Sequence, residues 1–362
     1  KINRFFMINL FKKYKNKKVL VTGHTGFKGS WLVCWLVMMG AKVVGVSKGS
    51  ISKPSHFELL QIKKKITNYY FDIKDVSKLD KVFQKEKPEF VFHMAAQALV
   101  SLSYKDPLNT FITNSIGVAN ILECINRTRT VKSAIIVTSD KCYKNVEKKI
   151  GYKEDELLAG IDPYSSSKSC AELIFSTYCK TIIKDQNTQI VSLRAGNVIG
   201  GGDWAKDRII PDIVNACEKK TKFLMRNPNS TRPWQHVLEP LWAYLYIAAY
   251  IKGKKFYLGE SYNVGPSAKK SVTVKTLINK IKIFKDIKIH KDKKVNFKES
   301  KLLSLNTQKI FKQFKIKPNL SIKQTADFIS EWYKVYFNNK KNIKQITESQ
   351  IKQYIKIIQS KK

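Results

Sequence analysis

The sequence predicts a doubly wound α/β fold, a parallel sheet with helices on both faces, followed by a smaller C-terminal α/β domain. Three observations predict it. From about residue 17 to 193, short apolar runs alternate with longer segments of helical length. The first run, Lys18-Val19-Leu20-Val21-Thr22, passes straight into Gly23-His24-Thr25-Gly26-Phe27-Lys28-Gly29 and then into an apolar segment from Ser30 to Met39. A later run, Ala134-Ile135-Ile136-Val137, ends in Thr138-Ser139-Asp140-Lys141, and Tyr164-Ser165-Ser166-Ser167-Lys168 opens a helix behind Asp162-Pro163.

Taken in order, residues 17–22 read as the first strand and 26–40 as the first helix, joined by the glycine turn. The glycines let the backbone approach a pyrophosphate, and the helix N-terminus offers unpaired N–H groups and a positive dipole end. Residues 42–46 read as the second strand; Ser47-Lys48 follows, where an acidic residue usually holds the adenosine ribose of NAD. The third strand is placed at 69–73, with Asp72 read either as a contact for the adenine amino group or as a strand-end turn carboxylate. The fourth, 89–93, carries His93 as a packed residue and ends in Met94-Ala95-Ala96-Gln97, where small side chains leave room for a cofactor. Residues 107–126 read as a long helix in which Asn114 holds a water or a backbone group near the site. Strands at 134–137 and 188–193 complete the alternation, which implies a Rossmann-type parallel sheet.

On a helix, residues four apart share a face, so Tyr164 and Lys168 point the same way. A phenol beside a fixed ammonium is expected to have a lowered pKa and to accept a proton from an alcohol near neutral pH. That chemistry needs a two-electron acceptor, which the glycine turn is placed to bind.

With 362 residues and 43% hydrophobic content, the chain can build one large or two modest domains. Lysine and arginine number 67 against 28 acidic residues, a net charge of +39. Such an excess suggests nucleic acid or an anionic surface. Here it is mostly lysine and spread along the chain, with no arginine tract, zinc-finger spacing or RNA-binding aromatic motif, so no nucleic-acid partner is expected. The cysteines at 34, 124, 142, 170, 179 and 217 form no Cys-x-x-Cys pair, so neither a metal nor a disulfide framework is expected, and reduced thiols fit a cytoplasmic protein. Trp31 to Met39 is far too short to span a bilayer. Lys1 to Lys18 is basic without a signal-peptide pattern, and Met7 is a candidate start.

Beyond Arg194 the texture changes. Asn197 to Trp204 is glycine-rich and reads as a loop over the site; Arg208 to Asp212 opens a helical segment; Thr231 to Val237 precedes an apolar helix from Leu241 to Ile251. Arg232 is suited to a phosphate and Trp234 to a sugar or base, with a surface arginine and a core tryptophan as the plainer reading. Tyr262-Asn263-Val264-Gly265 looks like a strand returning to the sheet. The expected division is 17–193 for the dinucleotide domain with a returning strand near 261–265, then 194–340 for substrate. Residues 1–16 and 341–362 are left as basic terminal extensions, the latter partly frayed.

These motifs are specific. The turn at 23–29, His93 to Gln97, Thr138 to Tyr143, Asp162 to Lys168, Arg194 to Trp204 and Arg232 to Pro240 together resemble the extended short-chain dehydrogenase/reductases. Within that family the chain is similar to the branch of nucleotide-sugar 4,6-dehydratases that acts on CDP-glucose, over roughly Lys17 to Phe337. The resemblance implies retained NAD, bound by Gly23, Thr25, Gly26, Phe27, Lys28, Gly29, Asp72, Ile73, Ala95, Ala96, Gln97, Asn114, Tyr164 and Lys168. It implies that Tyr164 takes the C4 hydroxyl proton while hydride leaves C4, Ser139 holds that oxygen, Asp140 protonates the departing C6 hydroxyl, and Lys141 is the C5 base. Most related dehydratases carry Glu in place of Lys141; burial and the nearby Lys168 are expected to keep its amine neutral. Tyr143, Asn145, Asn197, Arg208, Arg232 and His236 are implied as substrate contacts. A homodimer or higher homo-oligomer, active in deoxysugar biosynthesis for lipopolysaccharide O-antigen, is implied as well. Other readings stay open: a nucleotide-sugar 4-epimerase, an oxidoreductase or a 4,6-dehydratase acting on another nucleotide sugar, all on the same fold, and a non-catalytic basic binding protein.

Overall fold

The computed structural model describes residues 10–50, 52–184, 186–225, 227–254, 256–267, 271–284, 289–291 and 302–361; the candidate start at Met7 lies outside them. The apolar runs form β1 (Lys18–Thr22), β2 (Lys42–Ser47), β3 (Thr67–Tyr70), β4 (Phe90–His93), β5 (Ser133–Val137), β6 (Gln189–Ala195) and β7 (Glu260–Val264). All pair in parallel, in the order β7-β6-β5-β4-β1-β2-β3. The order runs outward from β1 in both directions, so β1 and β4 flank a topological switch point, where a crevice opens beyond the carboxyl ends of the strands.

Strands buried on both faces explain the unbroken apolar runs. With a side-chain period of two, Val19, Val21, Phe90 and Phe92 enter one layer and Leu20, Val44 and Val91 the other. The first layer packs α1 (Phe27–Met38), whose Trp31 and Trp35 are fully buried. The second packs α2 (Val76–Glu86), α3 (Gly117–Thr128) and α4 (Pro163–Thr177). Further on come α5 (Ile209–Glu218), α6 (Leu238–Ile251), α7 (Ile322–Asn338) and α8 (Ile343–Ser360). No described helix is long and apolar enough to cross a membrane.

Three expectations change. The third strand spans 67–70 rather than 69–73, because its ladder with β2 ends where β2 ends, at Ser47 opposite Tyr70. The long helix over 107–126 is helical throughout but widens into a π-helical turn at Ile112–Ile116. Nor are the described residues of the two terminal segments loose extensions. Residues 10–14 form a helical turn from which the buried Tyr14 donates to the Leu245 carbonyl (2.7 Å). The last helix, α8, buries Ile343, Thr347, Gln350, Ile351, Tyr354 and Ile358, a stripe of helical spacing, with Tyr354 edge-on to Trp35.

That C-terminal docking has a titratable fastener. Glu239 on α6 is buried; its carboxylate accepts the backbone N–H of Asn319 (2.8 Å) and the Tyr354 hydroxyl (2.8 Å). Burial pushes its carboxyl up to about 7. A raised carboxyl contributes stability below its unfolded value and loses it as pH rises through the folded one. Thermal stability is therefore expected to fall between about pH 4.5 and about pH 7, and Glu239→Gln to flatten that slope. An undiminished slope in the variant would remove Glu239 as its source.

Candidate active site

Four segments leave the carboxyl ends of neighbouring strands and meet at the crevice: 23–29 after β1, 94–97 after β4, 138–141 after β5 and 196–197 after β6. The first is the glycine turn. Gly23 has φ +69° and its amide donates to the Val46 carbonyl (2.8 Å); a Cβ there would press on the Ala95 backbone. The helix α1 starts behind Gly26 with no side-chain cap, so no side chain among the described residues claims the amides of Phe27, Lys28 and Gly29. That uncapped, close-approach N-terminus fits a dinucleotide pyrophosphate.

The other cofactor candidates are placed as follows. Thr25 donates to Gly49 O (2.8 Å) and lies 3.1 Å from the Ser47 hydroxyl, so the end of β2 is closed by hydroxyls where dinucleotide folds usually carry an acid. Asp72 sits beyond β3 as a turn carboxylate, accepting from Lys74 N (3.1 Å) and pairing with Lys48 and Lys74 (both 3.3 Å). Ile73 is core, packed among the residues of α2 and α3. Ala95 N is held by the Thr22 hydroxyl (3.1 Å), and Ala96 is half-buried between it and Gln97. Asn114 accepts from Gln97 N (2.8 Å) and donates to Gln97 O (3.0 Å) and to the Ser167 hydroxyl (2.9 Å). The π turn lets Asn114 and Ser115 both reach α4, since Ser115 donates to Ser167 O (3.0 Å).

The reacting groups come from β5 and α4. Asp162 caps α4, accepting from Ser165 N (3.0 Å), with Pro163 in the first turn. This fixes Tyr164 and Lys168 one turn apart. Tyr164 is hydrogen-bonded to Ser139, whose hydroxyl donates to Asp140 Oδ1 (3.1 Å). Asp140 is buried, and burial pushes its carboxyl above the usual carboxylate range against the charges of Lys141, Arg232 and Lys28. Gly196 is required beside it, because a Cβ there would overlap the Asp140 carboxylate. Asn197, at φ +53°, donates to Asp140 Oδ2 (3.4 Å).

The lowered phenol expected of Tyr164 is not found: burial raises it, and the Ser139 hydrogen bond and the Arg208 charge only partly oppose this. The cause is the dry helix face, which disfavours both charges of the pair; burial likewise pushes Lys168 down to about 8. Lys28 is pushed down to about 8 by burial and by Lys168 and Arg208. Lys141 is exposed rather than buried as expected.

Of the substrate candidates, Arg208 pairs with Asp203 (3.0 Å) and its charge reaches Tyr164. Arg232 donates to Thr231 O (2.9 Å) and its charge reaches Asp140. Three others are engaged by protein partners or packing. Tyr143 is buried, stacked on Tyr152, donating to Asn263 Oδ1 (2.7 Å) and accepting from Arg194 (2.7 Å). Asn145 organises its own loop, accepting from Glu147 N (2.9 Å) and the Tyr152 hydroxyl (3.0 Å). His236 is fully buried among Trp31 and Phe328. His93 packs against the Thr22 hydroxyl (2.8 Å), with its imidazole pushed down to about 3 by burial.

A parallel dinucleotide fold with serine and a buried carboxyl acid at a strand end, and tyrosine and lysine one turn apart on the helix α4, is that of an extended short-chain dehydrogenase/reductase. Residues 20–328 match the family described as GDP-mannose 4,6 dehydratase, and the chain belongs to that family. It is 48% identical over 250 residues to CDP-glucose 4,6-dehydratase of Salmonella typhimurium, covering 67% of this chain and 70% of that protein. Its fold is similar to UDP-glucose 4-epimerase of Thermotoga maritima solved with UDP-glucose (TM-score 0.74, 22% identity, 89% of this chain and 100% of that one). It is similar too to dTDP-glucose 4,6-dehydratase of Bacillus anthracis in complex with NAD (TM-score 0.72, 21% identity, 90% and 98%).

Proposed function

We propose that this protein is an NAD-dependent hydro-lyase that dehydrates CDP-glucose to CDP-4-dehydro-6-deoxyglucose. The observation that carries it is the buried Asp140, with its raised carboxyl, hydrogen-bonded to the Ser139 that also holds Tyr164. Oxidation and reduction at C4 alone need no such acid. The Salmonella relative supports CDP-glucose as the substrate.

NAD, when bound on the α1 N-terminus, supplies the two-electron acceptor for C4 and the donor for C6, so the reaction has no net redox change. The chain does the rest. Ser139 orients the C4 hydroxyl and Tyr164 accepts its proton. A ketone at C4 acidifies the C5 hydrogen; Lys141, in its free-amine form, takes that proton and gives one back to C5 when C6 is reduced. Asp140 hands its proton to the C6 hydroxyl, which departs as water. The raised carboxyl suits Asp140 to that task, because it holds its proton to higher pH than an exposed one.

Incubating the protein and NAD separately with CDP-, dTDP-, UDP- and GDP-glucose tests this. The 4-keto-6-deoxy product, read by its absorbance in alkali, is expected with CDP-glucose in preference to the rest. A C4 epimer in place of that product would establish the epimerase reading. Arg232→Ala is expected to raise KM for CDP-glucose by about tenfold or more with a smaller change in kcat, as for a phosphate clamp that binds ground and transition states alike. An unchanged KM would return Arg232 to a surface role.

The same reading places the enzyme in the cytoplasm, in deoxysugar biosynthesis for O-antigen, without nucleic-acid or membrane partners and as a homodimer or higher homo-oligomer. Exposed Leu108, Ile116 and Leu173, on packed neighbouring helical segments, support self-association.

A further inference from the structure

A buried ion pair lies behind the reacting groups. Glu172 and Arg194 have side chains 1% and 3% exposed and meet at 2.7 Å. Arg194 projects from β6, donating also to the Tyr143 hydroxyl (2.7 Å) and to Glu154 O (2.9 Å). Glu172 sits on α4 one turn beyond Lys168. One of its oxygens takes the Thr138 hydroxyl, and the other takes Arg194, the Ser192 hydroxyl (2.9 Å) and the Ser261 hydroxyl (3.2 Å). Every acceptor position of this carboxylate is thus aimed at a strand of the sheet or at the residue that leads into Ser139 and Asp140.

We propose that Glu172 is a positioning residue of the active site: gripped by Arg194, it fixes the Thr138-Ser139-Asp140 exit of β5 and supplies a buried negative charge one helical turn from Lys168.

The groups whose fields reach Lys168 are Glu172 on its own helix, Cys142 beyond β5, His93 at the end of β4 and Lys28 on α1. Tyr164 lies one turn before it. Burial raises the Cys142 thiol and the Tyr164 phenol and lowers His93, so all three are neutral near neutral pH. Lys28 carries the same sign as Lys168. Burial works against the Glu172 charge too, but Arg194 and the hydroxyls hold its carboxyl below the usual range. Among these groups it is therefore the one anion that offsets the desolvation of Lys168. A carboxylate serving only to satisfy Arg194 would not need to contact Thr138.

The inference rests on the assignment of Tyr164 and Lys168 to catalysis, but its first readout does not require turnover. The Lys168 amine is titrated in the ligand-free protein by NMR of 13Cε-labelled lysine, its signal assigned by loss in Lys168→Met. In Glu172→Gln the midpoint is expected to fall by about one pH unit. Because that variant strands Arg194, Glu172→Gln with Arg194→Gln removes both charges, and the same downward shift is expected. Thr138→Val keeps the charge and deletes one hydrogen bond. It should leave the midpoint in place and lower kcat for CDP-glucose by about tenfold with KM unchanged. A midpoint that stays put in both Glu172 variants, or parent kcat in Thr138→Val, would overturn the proposal. Should neither Glu172 variant fold, Thr138→Val decides it alone. A parent protein inactive on CDP-glucose would count against the dehydratase reading while the titration still judged the role of Glu172.

Discussion

A Tyr164→Phe variant is expected to fold like the parent and to turn over CDP-glucose about 10²- to 10⁴-fold more slowly. The hydroxyl removed is uncharged in the ligand-free protein, since burial raises the phenol. Ser139 keeps its bond to Asp140, so no charged partner is stranded. What is lost is the acceptor for the C4 proton. The raised phenol also shapes the pH response of the parent. The phenolate fraction grows with pH, but the Lys168 ammonium, pushed down to about 8, shrinks above that point. The parent kcat/KM is therefore expected to climb to about pH 8 and then level off, each gain in phenolate being matched by a loss of ammonium. The residual rate of the phenylalanine variant should lack the climb. Circular dichroism checks the fold and steady-state rates across pH check the rest. Near-parent turnover would remove Tyr164 from the role of base.

The sheet and the two reacting segments are legible in the sequence because buried parallel strands print continuous apolar runs and the glycine turn follows one of them directly. Legibility fails where the signal is local and the cause is not. The run Tyr69-Tyr70-Phe71 reads on as a strand, yet β3 is an edge strand and stops with its partner at Ser47. In α8 the lysines draw the eye to a solvated tail, while Ile343, Thr347, Ile351, Tyr354 and Ile358 mark a buried stripe. For Tyr143, Asn145 and His236 the resemblance alone implies substrate; the protein contacts they make depend on Tyr152 nearby and on Asn263, Arg194 and Phe328, which are distant in the chain. The Glu172–Arg194 pair did leave a trace. An arginine within the otherwise apolar run of β6 requires a buried partner. Glu172, four residues after Lys168, is a charge on the inward face of α4.

The order of events at C5 and C6 distinguishes Lys141 from Asp140. Lys141→Met keeps the length of an exposed side chain and deletes its amine, so the fold should be unaffected while dehydration drops by about 10²- to 10³-fold. Asp140→Asn should lower dehydration by a similar factor of about 10² or more for a different reason, because the C6 hydroxyl loses its acid. Stability separates the two. A carboxyl raised by burial contributes stability below its ordinary value near 3.8 and loses it as pH rises through the raised one, so at neutral pH the parent carries a cost that asparagine does not. Asp140→Asn is therefore expected to raise Tm by about 1–3 °C, and Lys141→Met to leave it unchanged. Isotope exchange separates them again. In deuterated water with NAD bound, Asp140→Asn still forms the ketone and still loses the C5 proton, so recovered CDP-glucose should carry deuterium at C5. Lys141→Met should return the sugar without it, its exposed amine being the route from C5 to solvent, and Tyr164→Phe should do the same because the ketone never forms. Mass spectrometry of the recovered sugar reads all three. Deuterium at the parent level in Lys141→Met would mean that another group, or water alone, takes the C5 proton, and that the Lys141 charge acts on the enolate or the nucleotide instead.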